Sequence, residues 1–304
     1  VAEHQHHDHS HHRHDAAHHA VRRDAPALRW AAVLTVGFAA VEAVGGWWTG
    51  SLALLSDAGH MLTDGAALGL AALAAWAARR PPSARHSYGL GRAEVFAALA
   101  NALAMLAIAG GIAYEALGRW QSPLPVKGGA AALIALLGLA LNLVILRRLT
   151  PHSHDLNTRA AMLHVVGDAL GSVAALLAGV VIAVSGWLRV DAIASLAICL
   201  LIAVSALRIT RESLHALMEG VPRGVSVGDV GLEMARVDGV VSVHDLHVWT
   251  LSGSRAALSA HVVVSNMRDW DRTLRALQEC LHAKFGIDHV TLQPESDAQP
   301  LVRH

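Results

Sequence analysis

Six long apolar blocks, at approximately residues 28–48, 51–78, 93–117, 128–146, 156–184 and 190–207, dominate the first two thirds of this 304-residue chain. Each is long enough to cross a bilayer as a helix, which takes roughly 20 predominantly apolar residues for a hydrocarbon core of ~30 Å. Buried helices of a large soluble core would not follow one another so closely without polar segments between them. Hydrophobic residues make up 54% of the chain and charged residues 16%. An ordinary soluble domain carries roughly 25% charged residues, so a simple soluble enzyme is excluded.

Charge between the blocks sets the orientation. The link after the second block holds Arg79, Arg80, Arg85 and Arg92, and the link after the fourth holds Arg147, Arg148 and Arg159. Arg22, Arg23 and Arg29 precede the first block. The opposite links carry no cation after block one, Arg119 and Lys127 after block three, and Arg189 after block five. The positive-inside rule then puts both termini in the cytoplasm, as an even number of spans requires.

The ends of the chain differ from the spans. Residues 1–24 are polar and contain His4, His6, His7, His9, His11, His12, His14, His18 and His19. Without apolar periodicity they read as a disordered, metal-gathering cytoplasmic tail, and no short apolar core with a cleavage site makes them a secretory signal. Residues 25–215 form the predicted transmembrane domain. From about Glu219 the composition becomes that of a small soluble domain, assigned to 216–296, with 297–304 as a C-terminal tail. Within it, 226–237 reads as a helix, 240–251 and 256–264 as strands joined by the turn Ser252-Gly253-Ser254, 269–284 as a helix and 289–293 as a strand. The predicted architecture is therefore an α-helical membrane protein with six transmembrane helices plus a small cytoplasmic α+β domain of the ferredoxin-like kind.

The chemistry lies in ionisable groups within the spans. Block two contains His60 and Asp64, and block five contains His164 and Asp168. His-x-x-x-Asp puts both side chains on one helix face, about 6 Å apart along the axis. A carboxylate at the bilayer centre costs roughly 2.5–3.5 kcal/mol even on a lenient scale, so two of them need a compensating partner. The two blocks run in opposite directions and each pair lies near mid-depth, so the pairs meet at one level. Two imidazoles and two carboxylates make a set suited to tetrahedral Zn²⁺. The competing reading is two unrelated His–Asp hydrogen bonds that lock helices together. Asp57 is less favourably placed and reads as a structural or vestibule group, while Glu42, Glu115, Asn101 and Asn142 read as helix-packing groups. Cys199 and Cys280 form neither a disulfide framework nor a thiolate metal site. Lys+Arg 24 balances Asp+Glu 24, giving no basic field for nucleic acid. No nucleophile–base constellation or phosphate-binding glycine loop is present, so neither an enzyme nor an ATP-driven pump is expected.

Three motifs carry a family resemblance. The run from Gly50-Ser51-Leu52 through Ser56-Asp57-Ala58-Gly59-His60 to Thr63-Asp64 resembles the second span of the cation diffusion facilitator family. His86-Ser87-Tyr88-Gly89-Leu90-Gly91-Arg92-Ala93-Glu94 resembles that family's link between second and third spans, and His244-Asp245-Leu246-His247-Val248-Trp249 the first strand of its cytoplasmic domain. The resemblance implies a homodimeric, zinc-exporting proton antiporter of the cell (inner) membrane, working by alternating access, with Zn²⁺ as transported substrate and regulatory ligand and no prosthetic group. Its His-Asp/His-Asp set is that of zinc-preferring members. Of three ion ligands found in some relatives' link, this chain has Ser83, His86 and Leu90 at the matching positions, so that site is expected to be absent. In the cytoplasmic domain His244, His261 and Glu295 match family ligand positions, whereas Leu274 and Gln293 replace two others, so at most one complete site per protomer is expected, with His247 and His289 as nearby candidates. Arg92 and Glu219 match a family charge pair at the junction of the two domains. Cd²⁺, Co²⁺ or Ni²⁺ would suit the same donors, and a membrane metal sensor without flux is the alternative from another class.

Overall fold

The computed structural model describes the backbone of residues 11–150, 156–252 and 255–296, and the side chains of 30–148, 150, 162–251 and 255–296. The first ten residues, the turn at Gly253 and Ser254, and the tail 297–304 lie outside the described residues. Six long helices come first: α1 (His11–Thr49), α2 (Leu52–Ala78), α3 (Ala93–Gln121), α4 (Gly128–Leu149), α5 (Leu156–Ser185) and α6 (Arg189–Leu217). All six have the length and apolarity to cross a membrane, α1 over Trp30–Thr49 and α5 over Met162–Ser185. Val33, Val44, Tyr114, Val184 and Leu200 each expose more than half their surface. Water does not tolerate so much apolar surface, but lipid does. The chain is a multi-pass membrane protein.

Two ends differ from the sequence reading. The backbone is helical from His11, inside the stretch expected to be disordered. Ala16, Ala17 and Ala20 favour helix there, and extending a helix already nucleated by a span requires no new nucleus. Likewise α6 runs beyond position 207 to Leu217, and Arg208 Nε donates to Glu212 Oε1 at 3.0 Å across one turn of that extension.

The described chain divides into two compact units, one holding the residues up to Ala66 with Ala104–Ser205, the other Ala67–Leu103 with the residues from Ala206 onward. In the first unit, α4 and α5 meet backbone to backbone. A methyl group added at Gly128 would lie 2.7 Å from the Ala183 nitrogen, and one at Gly179 would lie 2.6 Å from the Ala132 nitrogen. Glycine is the residue that allows such an approach. At the start of α2, the buried Asp191 of α6 accepts from Ser51 Oγ at 2.7 Å and from the Leu52 and Ala53 nitrogens at 2.7 and 3.3 Å. It thus satisfies N–H groups that the helix leaves without partners. Lys127 and Arg189 lie over the rings of Trp48 and Trp120, amphipathic pairs of the kind enriched where helices leave the bilayer.

The second unit contains α7 (Val227–Ala235), β1 (Val240–Ser252), β2 (Arg255–Val264), α8 (Trp270–Phe285) and β3 (His289–Ser296), forming one sheet of order β1-β2-β3. β1 and β2 are antiparallel, and β2 and β3 are parallel direct neighbours. This is the expected small α+β unit, but the strands joined through α8 have no strand between them, unlike a split β-α-β arrangement. Ser226 Oγ caps α7 by accepting from the Asp229 nitrogen, and α8 stops at Gly286, whose φ of 65° suits glycine. Val230 and Met234 of α7, Leu277 and Leu281 of α8, and Leu258, Ala260 and Val262 of β2 form the core. Because side chains alternate along a strand, packing Leu258, Ala260 and Val262 inward turns Ser259 and His261 to the opposite face.

Candidate metal centres

The i, i+4 spacing sets His60 and Asp64 on one face of α2, and His164 and Asp168 on one face of α5. The structure brings the two pairs together. His60 Nδ1 lies 3.4 Å from Asp64 Oδ2, and its Nε2 lies 3.7 Å from Asp168 Oδ1. His164 Nε2 lies 3.3 Å from Asp64 Oδ2 and 3.7 Å from Asp168 Oδ2. Four donors held ~2.0–2.1 Å from a central ion in a tetrahedron would stand roughly 3.3 Å apart; the four side chains approach that spacing, His60 through both ring nitrogens and Asp168 through both oxygens. His60, Asp64 and Asp168 offer ligand atoms within 4.8 Å of one another. The His164 ring stands across the two carboxylates, 6.0 Å from that of His60, and is the most exposed of the four.

Hydrogen-bond accounting points the same way. Asp168 is fully buried, and among the described residues neither of its oxygens has a hydrogen-bond partner. Asp64 Oδ2 and His60 Nδ1 are likewise buried without one. Buried polar atoms are nearly always satisfied, so these four unpartnered atoms are open to a ligand.

The second cluster lies on the open face of the sheet. The register sets His244 of β1 directly opposite His261 of β2. Glu295 of β3 accepts from both rings, with His261 Nδ1 at 2.6 Å from Oε1 and His244 Nε2 at 2.9 Å from Oε2. The two rings lie 5.2 Å apart. Burial opposes ionisation of Glu295, but the His261 and His244 hydrogen bonds outweigh it and hold its carboxyl below the ordinary value.

Sequence reasoning missed Asp245. It takes a left-handed backbone, φ 50°, where the register of β1 slips between His244 and His247. Its carboxylate reaches His247 Nε2 at 3.0 Å and His261 Nε2 at 3.7 Å. An acidic residue between two histidines in the His244-Asp245-Leu246-His247 run was the available signal. His289 instead stands edge-on to Tyr88, with ring centroids 5.5 Å apart. Ser83 and His86 close a small turn, with the His86 nitrogen donating to Ser83 Oγ at 3.2 Å. Arg92 Nη2 lies 3.1 Å from Glu219 Oε1, both side chains being exposed. Glu219 also takes a left-handed φ of 59° where the chain leaves α6.

Comparison with known proteins finds matches to both parts of the chain. Residues 28–218 match the cation efflux transmembrane domain, and residues 222–297 match the cation efflux protein cytoplasmic domain. The zinc transporter ZitB of Escherichia coli (strain K12) is 42% identical over 271 residues, covering 88% of this chain and 86% of the relative. The cadmium, cobalt and zinc/H(+)-K(+) antiporter of Bacillus subtilis (strain 168) is 37% identical over 272 residues, covering 88% of this chain and 87% of the relative. A solved metal-bound C-terminal domain of the CzcD transporter, from Cupriavidus metallidurans, is 38% identical, covering 23% of this chain and 99% of that one, with a TM-score of 0.23. With a transmembrane match that spans all six helices and a second match over the sheet domain, the chain belongs to the cation efflux family.

Proposed function

We propose that this chain exports Zn²⁺ from the cytoplasm in exchange for protons, carrying the ion through a tetrahedral site made by His60, Asp64, His164 and Asp168. The observation that carries this reading is the meeting of two His–Asp pairs, from two different helices, at 3.3–3.7 Å with orphaned buried oxygens. Imidazole and carboxylate are borderline-hard donors that suit Zn²⁺, and two carboxylates neutralise its charge. Protons and metal compete for the same lone pairs, so ion binding releases protons and proton binding expels the ion. An imidazole titrates in the physiological range, which makes that exchange reversible at neutral pH. Rocking of helices then exposes the site alternately to each side.

Supporting lines extend to the setting. The arginine bias of the links favours cytoplasmic termini in the cell's inner membrane. The cytoplasmic-domain match favours a homodimer. His244, His261 and Glu295, with Asp245 beside them, offer a regulatory zinc site in that domain.

The test is metal transport into proteoliposomes with a pH-sensitive dye on the far side. Zinc flux should be accompanied by opposite proton movement and should fall to background in a His164→Ala, Asp168→Ala double variant. Adding Cd²⁺, Co²⁺ or Ni²⁺ in competition ranks the substrates. Zinc flux at the parent rate in the double variant would overturn the site, and saturable zinc binding with no flux would identify a sensor.

A further inference from the structure

Next to the proposed metal cage lies a second group of buried polar side chains that the zinc chemistry does not use. Glu42 of α1, Asp57 of α2 and Ser172 of α5 are fully buried, and Asn142 of α4 is nearly so. Three of them are linked in order. Asn142 Nδ2 donates to Ser172 Oγ at 3.4 Å, and Ser172 Oγ donates to Asp57 Oδ2 at 3.1 Å. Two glycines make room for the carboxylates. A methyl added at Gly138 would lie 2.6 Å from Glu42 Oε1, and one at Gly171 would lie 2.3 Å from Asp57 Oδ1.

Four oxygens remain without any hydrogen-bond partner: both of Glu42, Oδ1 of Asp57 and Oδ1 of Asn142. All four are acceptors, and an ionised carboxylate has no proton to donate. The group therefore has a surplus of acceptors and negative charge and a deficit of donors. The charges that reach Glu42 are those of Asp57 and Asp168, both negative. On the same helices, His60 and Asp64 of α2 and His164 and Asp168 of α5 are assigned to the metal cage, and Arg147 and Arg148 lie in the last turn of α4. What balances the deficit is positive charge with little volume. A proton is such a charge, and it turns one of the surplus acceptors into a donor.

We infer that Glu42 and Asp57 form a proton-carrying site, separate from the metal cage, that carries a further proton beside those the cage exchanges. This rests on the proton-coupled reading above. In one orientation of the protein a proton from bulk water forms an O–H bond on the Glu42 carboxylate. In the other orientation that O–H bond breaks and the proton returns to water. The buried charge is neutral while it crosses the low-dielectric interior.

The experiment measures protons moved per zinc ion in proteoliposomes for the parent, Glu42→Gln and Asp57→Asn, together with equilibrium zinc binding in detergent. Each variant should bind zinc as the parent does, yet move one proton fewer per ion and lose part of the acceleration by a pH gradient. An unchanged proton count in a variant that binds zinc overturns the inference while leaving the antiport reading intact. A parent that moves zinc with no protons overturns the antiport reading and this inference with it. Infrared spectra of the unsubstituted protein at neutral pH give a second measurement that does not depend on the variants folding. They should show the carbonyl stretch of a protonated, deuterium-sensitive carboxylic acid, and its absence rejects the assignment.

Discussion

Replacing Asp168 with Asn is expected to stabilise the metal-free protein while weakening zinc binding. Asp168 is fully buried, and among the described residues both its oxygens lack hydrogen-bond partners. Leaving one buried acceptor unsatisfied costs about 1–3 kcal/mol, and more if it is charged. Asn has nearly the same shape and carries no charge. The substitution should therefore recover about 1–3 kcal/mol in the metal-free protein. The loaded state should respond oppositely. Losing a group that merely supports a metal ligand typically reduces affinity 10–100-fold. Loss of a ligand carrying one of two neutralising charges should exceed that, which sets a floor of about 100-fold, or roughly 2.7 kcal/mol. Thermal unfolding of purified full-length protein, followed by tryptophan fluorescence with and without zinc, reads the first effect, and calorimetric titration reads the second. A variant that unfolds earlier than the parent without zinc, or one that retains the parent's affinity, would refute the reasoning.

Other perturbations test the scaffold and the second centre. Asp191→Ala removes three hydrogen bonds at the start of α2 and should destabilise the protein by about 2–4 kcal/mol in denaturant titration, since bonds to charged groups contribute ~1.5–3 kcal/mol each with partial compensation. Gly179→Leu forces apart the α4–α5 backbones and should lower thermal stability by ~1–3 kcal/mol or more, whereas an equal substitution at Gly118, with nothing within 4 Å, should not. Zinc at a hundredfold excess over its dissociation constant should stabilise the cytoplasmic domain by ~2.7 kcal/mol, as read by hydrogen exchange in β2 and β3, and His261→Ala should abolish that protection. Without zinc, the lowered Glu295 pKa contributes stability that is present above the ordinary carboxylate range and lost as pH falls through the depressed value. Glu295→Gln should therefore flatten the acid limb of exchange protection.

Much of the architecture was legible because membrane helices follow from one requirement, internal satisfaction of every backbone polar group in lipid. Apolar runs predicted α2 almost residue for residue, while α6 outran the reading because its last three turns are polar and held by pairs such as Arg208–Glu212. The His60/Asp64 and His164/Asp168 pairs were legible because period and depth are both encoded in spacing. Asp191 was not, because nothing local indicates that a side chain in the first turn of α6 will cap α2 across 139 residues. Glu42 and Asp57 read as packing or vestibule groups because orphaned acceptors become visible only when all four helices are in place. Asp245 was hidden for a different reason: strand alternation turns it away from His244, and only a left-handed residue at a register slip returns its carboxylate to His261.

The most direct test of the four-ligand cage is zinc X-ray absorption on the full-length protein with the cytoplasmic ligands removed by His244→Ala and His261→Ala. One bound ion with four nitrogen or oxygen neighbours at ~2.0–2.1 Å, two of them imidazole, is the expected result. That shell should lose an imidazole in a further His164→Ala variant. A spectrum unchanged by His164→Ala, or a six-oxygen shell without imidazole, would contradict the cage.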